Sequence, residues 1–228
     1  MKAILKQRLT LSNILLIAVN LIPLWGVWFM GWDAKQIFLV YCLETIIIGC
    51  YNLLQMWLIT LFKKKDEWTN GTSTKFVSGY FFILFFLIHY GIFVIVQMGI
   101  FIAVSGIPGL QWGPLGAIEF VGHLQKYLSG YAEWLLAFFT IAYGIGILKD
   151  FVMSGDYKTI SLSQQMFAPY GRIFIQQFVV ILGSFFILFG GGKIFILIFV
   201  LVKIYVECFV NFKKIIEEAG KKKQEIKS

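Results

Sequence analysis

The chain has 228 residues, 59% of them hydrophobic and only 14% charged, with 24 Phe and a formal net charge of +8. Soluble globular domains carry about 25% charged residues, so this composition excludes an ordinary water-soluble domain. The Lys and Arg residues are spread over separate segments and form no single basic stripe, which removes nucleic acid as a partner.

Six apolar stretches each come close to or exceed the ~20 residues that a helix needs to cross a bilayer. They run roughly over 9–31, 34–62, 76–104, 131–153, 172–190 and 193–212. Helices are expected throughout, because lipid offers no partner for exposed backbone groups, and the alternating ~10-residue segments of an outer-membrane barrel are missing. The fold class predicted is therefore all-α, a polytopic transmembrane bundle of six spans. Residues 1–212 form one transmembrane domain and 213–228 a charged cytoplasmic tail.

Span one is too long for a signal-peptide core and no small-x-small cleavage site follows it, so it is expected to stay as an anchor. Asn20 and Pro23 lie within it, and Pro23 predicts a kink about one turn earlier. Gly31-Trp32-Asp33 reads as a tight turn, with Asp33 capping span two and spans one and two pairing as an antiparallel hairpin. Trp25, Trp28 and Trp32 gather at that end, as in an aromatic belt. Span two, at about 29 residues, is long enough to tilt or to emerge from the bilayer.

The segment from Lys63 to Lys75 reads as a polar cytoplasmic loop. After span three, Ser-Gly-Ile-Pro-Gly-Leu-Gln-Trp-Gly-Pro cannot be regular helix. Beyond it Ala117, Phe120, Val121, Leu124 and Leu128 recur at helical spacing, with Glu119, His123 and Lys126 on the other face. That pattern predicts a short helix lying in the interface. Residues 154–171 form a second long connection, and Gly190-Gly191-Gly192 a tight turn before span six.

The charges fix an orientation. Sixteen of the twenty Lys and Arg residues lie before span one, between two and three, between four and five or at their facing ends, or after six. The positive-inside rule then places both termini in the cytoplasm. These residues meet anionic headgroups at the cytoplasmic face, and a further membrane protein or a second copy of the chain is a possible partner. Cys42, Cys50 and Cys208 all lie within spans without a C-x-x-C pair, so they are expected to be buried, inert thiols.

Charged groups inside a bilayer cost on the order of 3 kcal/mol each by insertion scales, so they are candidates for function. Glu44 lies in span two, His89 in span three, and Lys203 and Glu207 in span six. At ~1.5 Å per residue, Glu44 and Lys203 sit at one depth, ~15 Å from the outer end, and His89 and Glu207 at another, ~22 Å. Lys203 and Glu207, four apart, can pair. Tyr51 and Gln55 share a face with Glu44, Gln97 lies on span three beyond Tyr90, and Gln177 lies beside Gln176 on span five. Together these residues define a candidate intramembrane polar site, weighed against simple helix–helix glue. Arg172, after Pro169-Tyr170-Gly171, is a candidate anion or headgroup contact. Glu44, His89 and Glu207 could offer three ligands, but no H-x-x-x-H or H-E-x-x-H spacing supports a metal, and no cofactor is expected.

Gly31-Trp32-Asp33 leading into Tyr41-Cys42-Leu43-Glu44-Thr45, then His89-Tyr90-Gly91-Ile92-Phe93 and Pro169-Tyr170-Gly171-Arg172-Ile173, resembles a group of prokaryotic polytopic membrane proteins catalogued as a domain of unknown function. The resemblance covers most of the chain. It implies an integral protein of the prokaryotic cytoplasmic membrane and points to Glu44, His89 and Arg172, without implying an activity. The resemblance implies that members often carry further histidines on the helices where Gln97 and Gln177 stand here, so this chain departs from the pattern that a family metal site would use. Three functions follow as expectations: first a small-solute or proton transporter or channel-like protein; second a non-catalytic subunit or assembly factor; third a lipid-modifying enzyme.

Overall fold

The computed structural model describes residues 10–70, 73–105, 114–171, 173–174, 177, 182–183, 186 and 189–210. Helix α1 spans Leu11–Phe29 and α2 Ala34–Lys63. Strands β1 (Lys65–Asn70) and β2 (Ser73–Ser78) follow, then α3 (Gly79–Ser105). Two short helices, α4 (Pro114–Gly122) and α5 (Leu124–Tyr127), lead into α6 (Gly130–Ile147), which runs on into a π-helical turn, Leu148–Met153. A short helix α7 (Leu162–Phe167) follows, and α8 (Gly192–Ile204) passes into a second π-helical turn, Tyr205–Phe209.

Each start has a local cause. Thr10 Oγ1 accepts from Asn13 N, Asp33 Oδ1 from Lys35 N and Ser161 Oγ from Gln164 N. These contacts occupy N–H groups that the first helical turn leaves without partners. Helix α2 ends where Lys64 takes a positive φ of 54° and its N–H closes on Thr60 O. The turn after α1 is tight because Gly26 has no side chain: a Cβ there would lie 2.1 Å from the Trp32 ring, which also stacks on Tyr131 at 4.5 Å.

Helix α2 is the centre of the bundle. Nine consecutive residues, Ile37 to Thr45, are buried, as expected of a helix with neighbours on every side. It packs against α3, α6 and α7 and, more lightly, against α8, while α1 packs on α6 and α8. Helix α3 meets α2 through Phe82, Phe86 and Tyr90, four residues apart, and turns Leu84, Leu87, Ile88 and Ile92 outward. Four helical segments, Leu11–Phe29, Ala34–Lys63, Gly79–Ala103 and Gly130–Met153, are long and apolar enough to cross a membrane.

Several expectations change. The fold is not purely helical, because the segment expected to be a loop is an antiparallel hairpin in which Lys65 pairs with Ser78 and Asn70 with Ser73. Trp68 anchors it against Phe81, Phe82 and Phe85, and Asp66 Oδ2 accepts from Leu162 N at 2.6 Å. Helices α1 and α2 share a tight turn but are not a packed pair, because α6 and α8 take the inner face of α1. Cys42 and Cys208 are buried, whereas Cys50 is exposed. The short helix expected beyond span three is present as α4 and α5, broken at His123, with Phe120 inward and Glu119, His123 and Lys126 outward. Predicted span 172–190 lies largely outside the described residues, as do residues 213–228. Predicted span 193–212 is described to residue 210, as α8 and its π-helical turn.

Candidate functional site

Midway along the bundle, α2, α6 and α8 each contribute polar side chains to one buried cluster. Glu44 comes from the most enclosed part of α2 and is fully buried. Lys203 Nζ lies 2.8 Å from Glu44 Oε1 and 3.0 Å from Glu207 Oε2. Lys203 and Glu207 are one helical turn apart, so the second bridge is local, while the first ties α8 to α2 across 159 residues of sequence. The ammonium also lies over two rings, Phe139 at 5.0 Å and Tyr41 at 5.5 Å, which compensates part of its lost hydration.

Tyr143 of α6 completes the cluster. Its hydroxyl donates to Glu44 Oε1 at 2.6 Å and stands 3.1 Å from Glu207 Oε1. A phenol has one proton and can donate to one carboxylate at a time. Among the described residues Glu44 Oε2 has no hydrogen-bond partner.

The cluster lies between two unlike halves of the bundle. Toward the Ala34 end it is roofed by Phe38, Tyr41, Phe139, Phe195 and Phe199. Their rings interlock, with Tyr41 edge-on to Phe199 at 4.4 Å and Phe38 against Phe195 at 5.6 Å. Toward the β-hairpin end lies a polar cavity of about 250 Å³ lined by Ser12, Asn13, Asn52, Gln55, Tyr143 and Gln165, among others, with Asp150 on its rim. Gln165 Nε2 donates to Asn52 Oδ1 at 2.7 Å and to Gln55 Oε1 at 3.0 Å, joining α7 to α2.

Of the residues singled out in the sequence, the structure brings Glu44, Lys203 and Glu207 together. Tyr51 and Gln55 line the cavity beside them, and Tyr51 donates to Thr140 O at 2.8 Å, a close approach that Gly144 permits. His89 is not with them. It is exposed on α3, 2.8 Å from the Tyr170 hydroxyl through Nδ1, with its ring stacked on Phe85. Its neighbour Tyr90 takes the inward position, so His89 is turned about 100° round the helix. Gln97 is buried on α3 beside Cys42. Gln177 lines a separate, mostly apolar cavity of about 490 Å³ with Tyr90, Phe93 and Tyr170. Arg172 lies outside the described residues. Among the described residues no group of three or more His, Cys, Asp or Glu side chains is placed to hold a metal ion.

Tyr143, Asn52, Gln165, Ser12 and Asn13 were not singled out as site residues. A tyrosine well inside an apolar helix, away from the interfacial belt where tyrosines gather, was the one signal for Tyr143. Asn52 stands between Tyr51 and Gln55, but nothing in the sequence pairs it with Gln165. No curated protein and no solved structure matches the chain. Residues 3–225 match a family of unknown function, DUF6498, and with nearly the whole chain covered the protein belongs to that family.

Proposed function

We propose that the chain is a six-span integral protein of a prokaryotic cytoplasmic membrane, with both termini in the cytoplasm. We propose further that it moves protons, alone or coupled to a small solute, through the Glu44–Lys203–Glu207–Tyr143 cluster. The observation that carries this reading is the pair of carboxylates sharing one ammonium and one phenol in the bundle centre. Uncompensated charge in such a place is expensive. Taking up or releasing a proton there shifts the charge balance of the buried cluster and therefore its stability.

The alternation of basic segments supports the six-span arrangement, and the four long apolar helices support membrane insertion. The test uses purified protein in liposomes with a trapped pH-sensitive dye and a potassium diffusion potential. The wild type acidifies or alkalises the lumen faster than protein-free liposomes. Glu44→Gln leaves Lys203 paired with Glu207 and lowers the rate by about ten-fold or more, the scale of effect expected when a buried titrating group is removed. Equal rates in the two proteins would rule out Glu44 as the proton carrier, and a wild-type rate no faster than empty liposomes would reject proton movement altogether.

A further inference from the structure

The cavity on the hairpin side of the cluster contains buried polar groups that no described residue satisfies. Ser12, Asn13 and Gln165 are 5%, 5% and 4% exposed. Among the described residues Ser12 Oγ, Asn13 Nδ2 and Gln165 Oε1 have no hydrogen-bond partner. All three residues line the same cavity. An unsatisfied buried polar atom keeps the full cost of its lost hydration, so a donor, an acceptor and a hydroxyl gathered around one void are not a stable dry arrangement. Apolar voids stay empty, but polar ones of sufficient size hold water. At about 30 Å³ per molecule in the liquid, a cavity of about 250 Å³ has room for roughly eight waters.

We infer that this cavity binds a chain of water molecules and is the route by which the buried cluster is reached, from the hairpin end of the bundle alone. The route runs from Asp150 past the Asn52–Gln55–Gln165 amides to Tyr143, which lines the cavity and whose hydroxyl meets the two carboxylates. A proton arriving on the last water bonds to the Tyr143 oxygen while the original phenolic proton passes to Glu44 Oε1. One O–H bond forms and one breaks at the phenol, and Glu44 gains the proton. On the other side, among the described residues, the interlocked rings of Phe38, Tyr41, Phe139, Phe195 and Phe199 close over the cluster. The inference rests on the proton reading for its purpose, but not for the existence of the wet route.

Cysteine labelling tests it. In full-length protein with Cys42, Cys50 and Cys208 replaced by Ala, single variants Ala142→Cys (cavity wall), Gly146→Cys (cavity wall, a second chance if the first fails to fold), Glu67→Cys (exposed on β1) and Ala132→Cys (buried at the far end of α6) are placed in sealed vesicles. They are then treated with a charged, membrane-impermeant thiol reagent. The cavity cysteine reacts only in vesicles whose orientation also exposes Glu67→Cys, at least about ten-fold faster than Ala132→Cys, because thiol reactivity follows access to water. No reaction at either cavity position in folded protein, or reaction from the opposite side, overturns the inference. Labelling in a protein that moves no protons would keep the wet cavity and remove the proton reading. Proton movement without labelling would do the reverse.

Discussion

Replacing Lys203 with Met keeps most of the buried volume and removes the cation that bridges the two carboxylates. At 2.8 and 3.0 Å from the two carboxylates, each attraction is about 6 kcal/mol at an effective dielectric of ~20. Desolvation offsets much of this, and removing one partner of a buried pair costs about 3–5 kcal/mol. Losing the contacts of the ammonium with the Tyr41 and Phe139 rings adds on the order of 1 kcal/mol. Glu44→Gln is milder. It removes one charge-assisted hydrogen bond, about 1.5–3 kcal/mol, and leaves Lys203 balanced by Glu207. In the double variant the second change removes a carboxylate that has already lost its cation. The combined loss should therefore fall short of the sum by about 1.5 kcal/mol or more, within the range seen for residues in contact. Denaturant unfolding of the purified proteins in mild detergent, followed by tryptophan fluorescence, measures all four corners of the cycle. Additivity within about 0.5 kcal/mol would refute the direct pairing of Glu44 with Lys203, because independent sites add and bonded ones do not.

Tyr143→Phe keeps the ring and removes the hydroxyl that joins the two carboxylates. It should lower stability by about 1–3 kcal/mol and slow proton movement in liposomes as strongly as Glu44→Gln; an unchanged rate would take Tyr143 out of the route. Gly49→Val probes the packing that encloses the site. A Cβ at Gly49 would lie 2.4 Å from the ring of Tyr90, a buried residue whose hydroxyl donates to Thr45 O. The variant should therefore lose about 1–3 kcal/mol through overpacking, and an unshifted thermal midpoint would contradict the close approach of α2 and α3.

Part of this molecule is written locally and part is not. Long apolar runs bounded by polar turns specify helices wherever they occur, and the bounds of α1, α2, α3 and α6 with its π-helical turn follow the predicted spans within a few residues. The Asp33 cap is equally local. The β-hairpin was also legible in principle, because an Asn70-Gly71 pair between Trp68-Thr69 and Thr74-Lys75-Phe76-Val77 is a strong hairpin signal. Its polar composition is equally that of a loop.

Depth along a helix follows from a fixed rise per residue, so the sequence alone placed Glu44 level with Lys203, and the spacing of four placed Glu207 on the face of Lys203. Direction around a helix depends on which neighbour it packs against. His89 shared a depth with Glu207 and still faces outward, because Phe82, Phe86 and Tyr90 give α3 its contact with α2. Tyr143, Asn52, Gln165, Ser12 and Asn13 meet only because α1, α2, α6 and α7 converge at one end of the bundle. The sequence by itself determined the apolar helices, their order and the residues that are costly to bury. Tertiary packing decided which of those residues neutralise one another and which polar side chains are left facing a cavity, because partners 64 to 159 residues apart have no local signature.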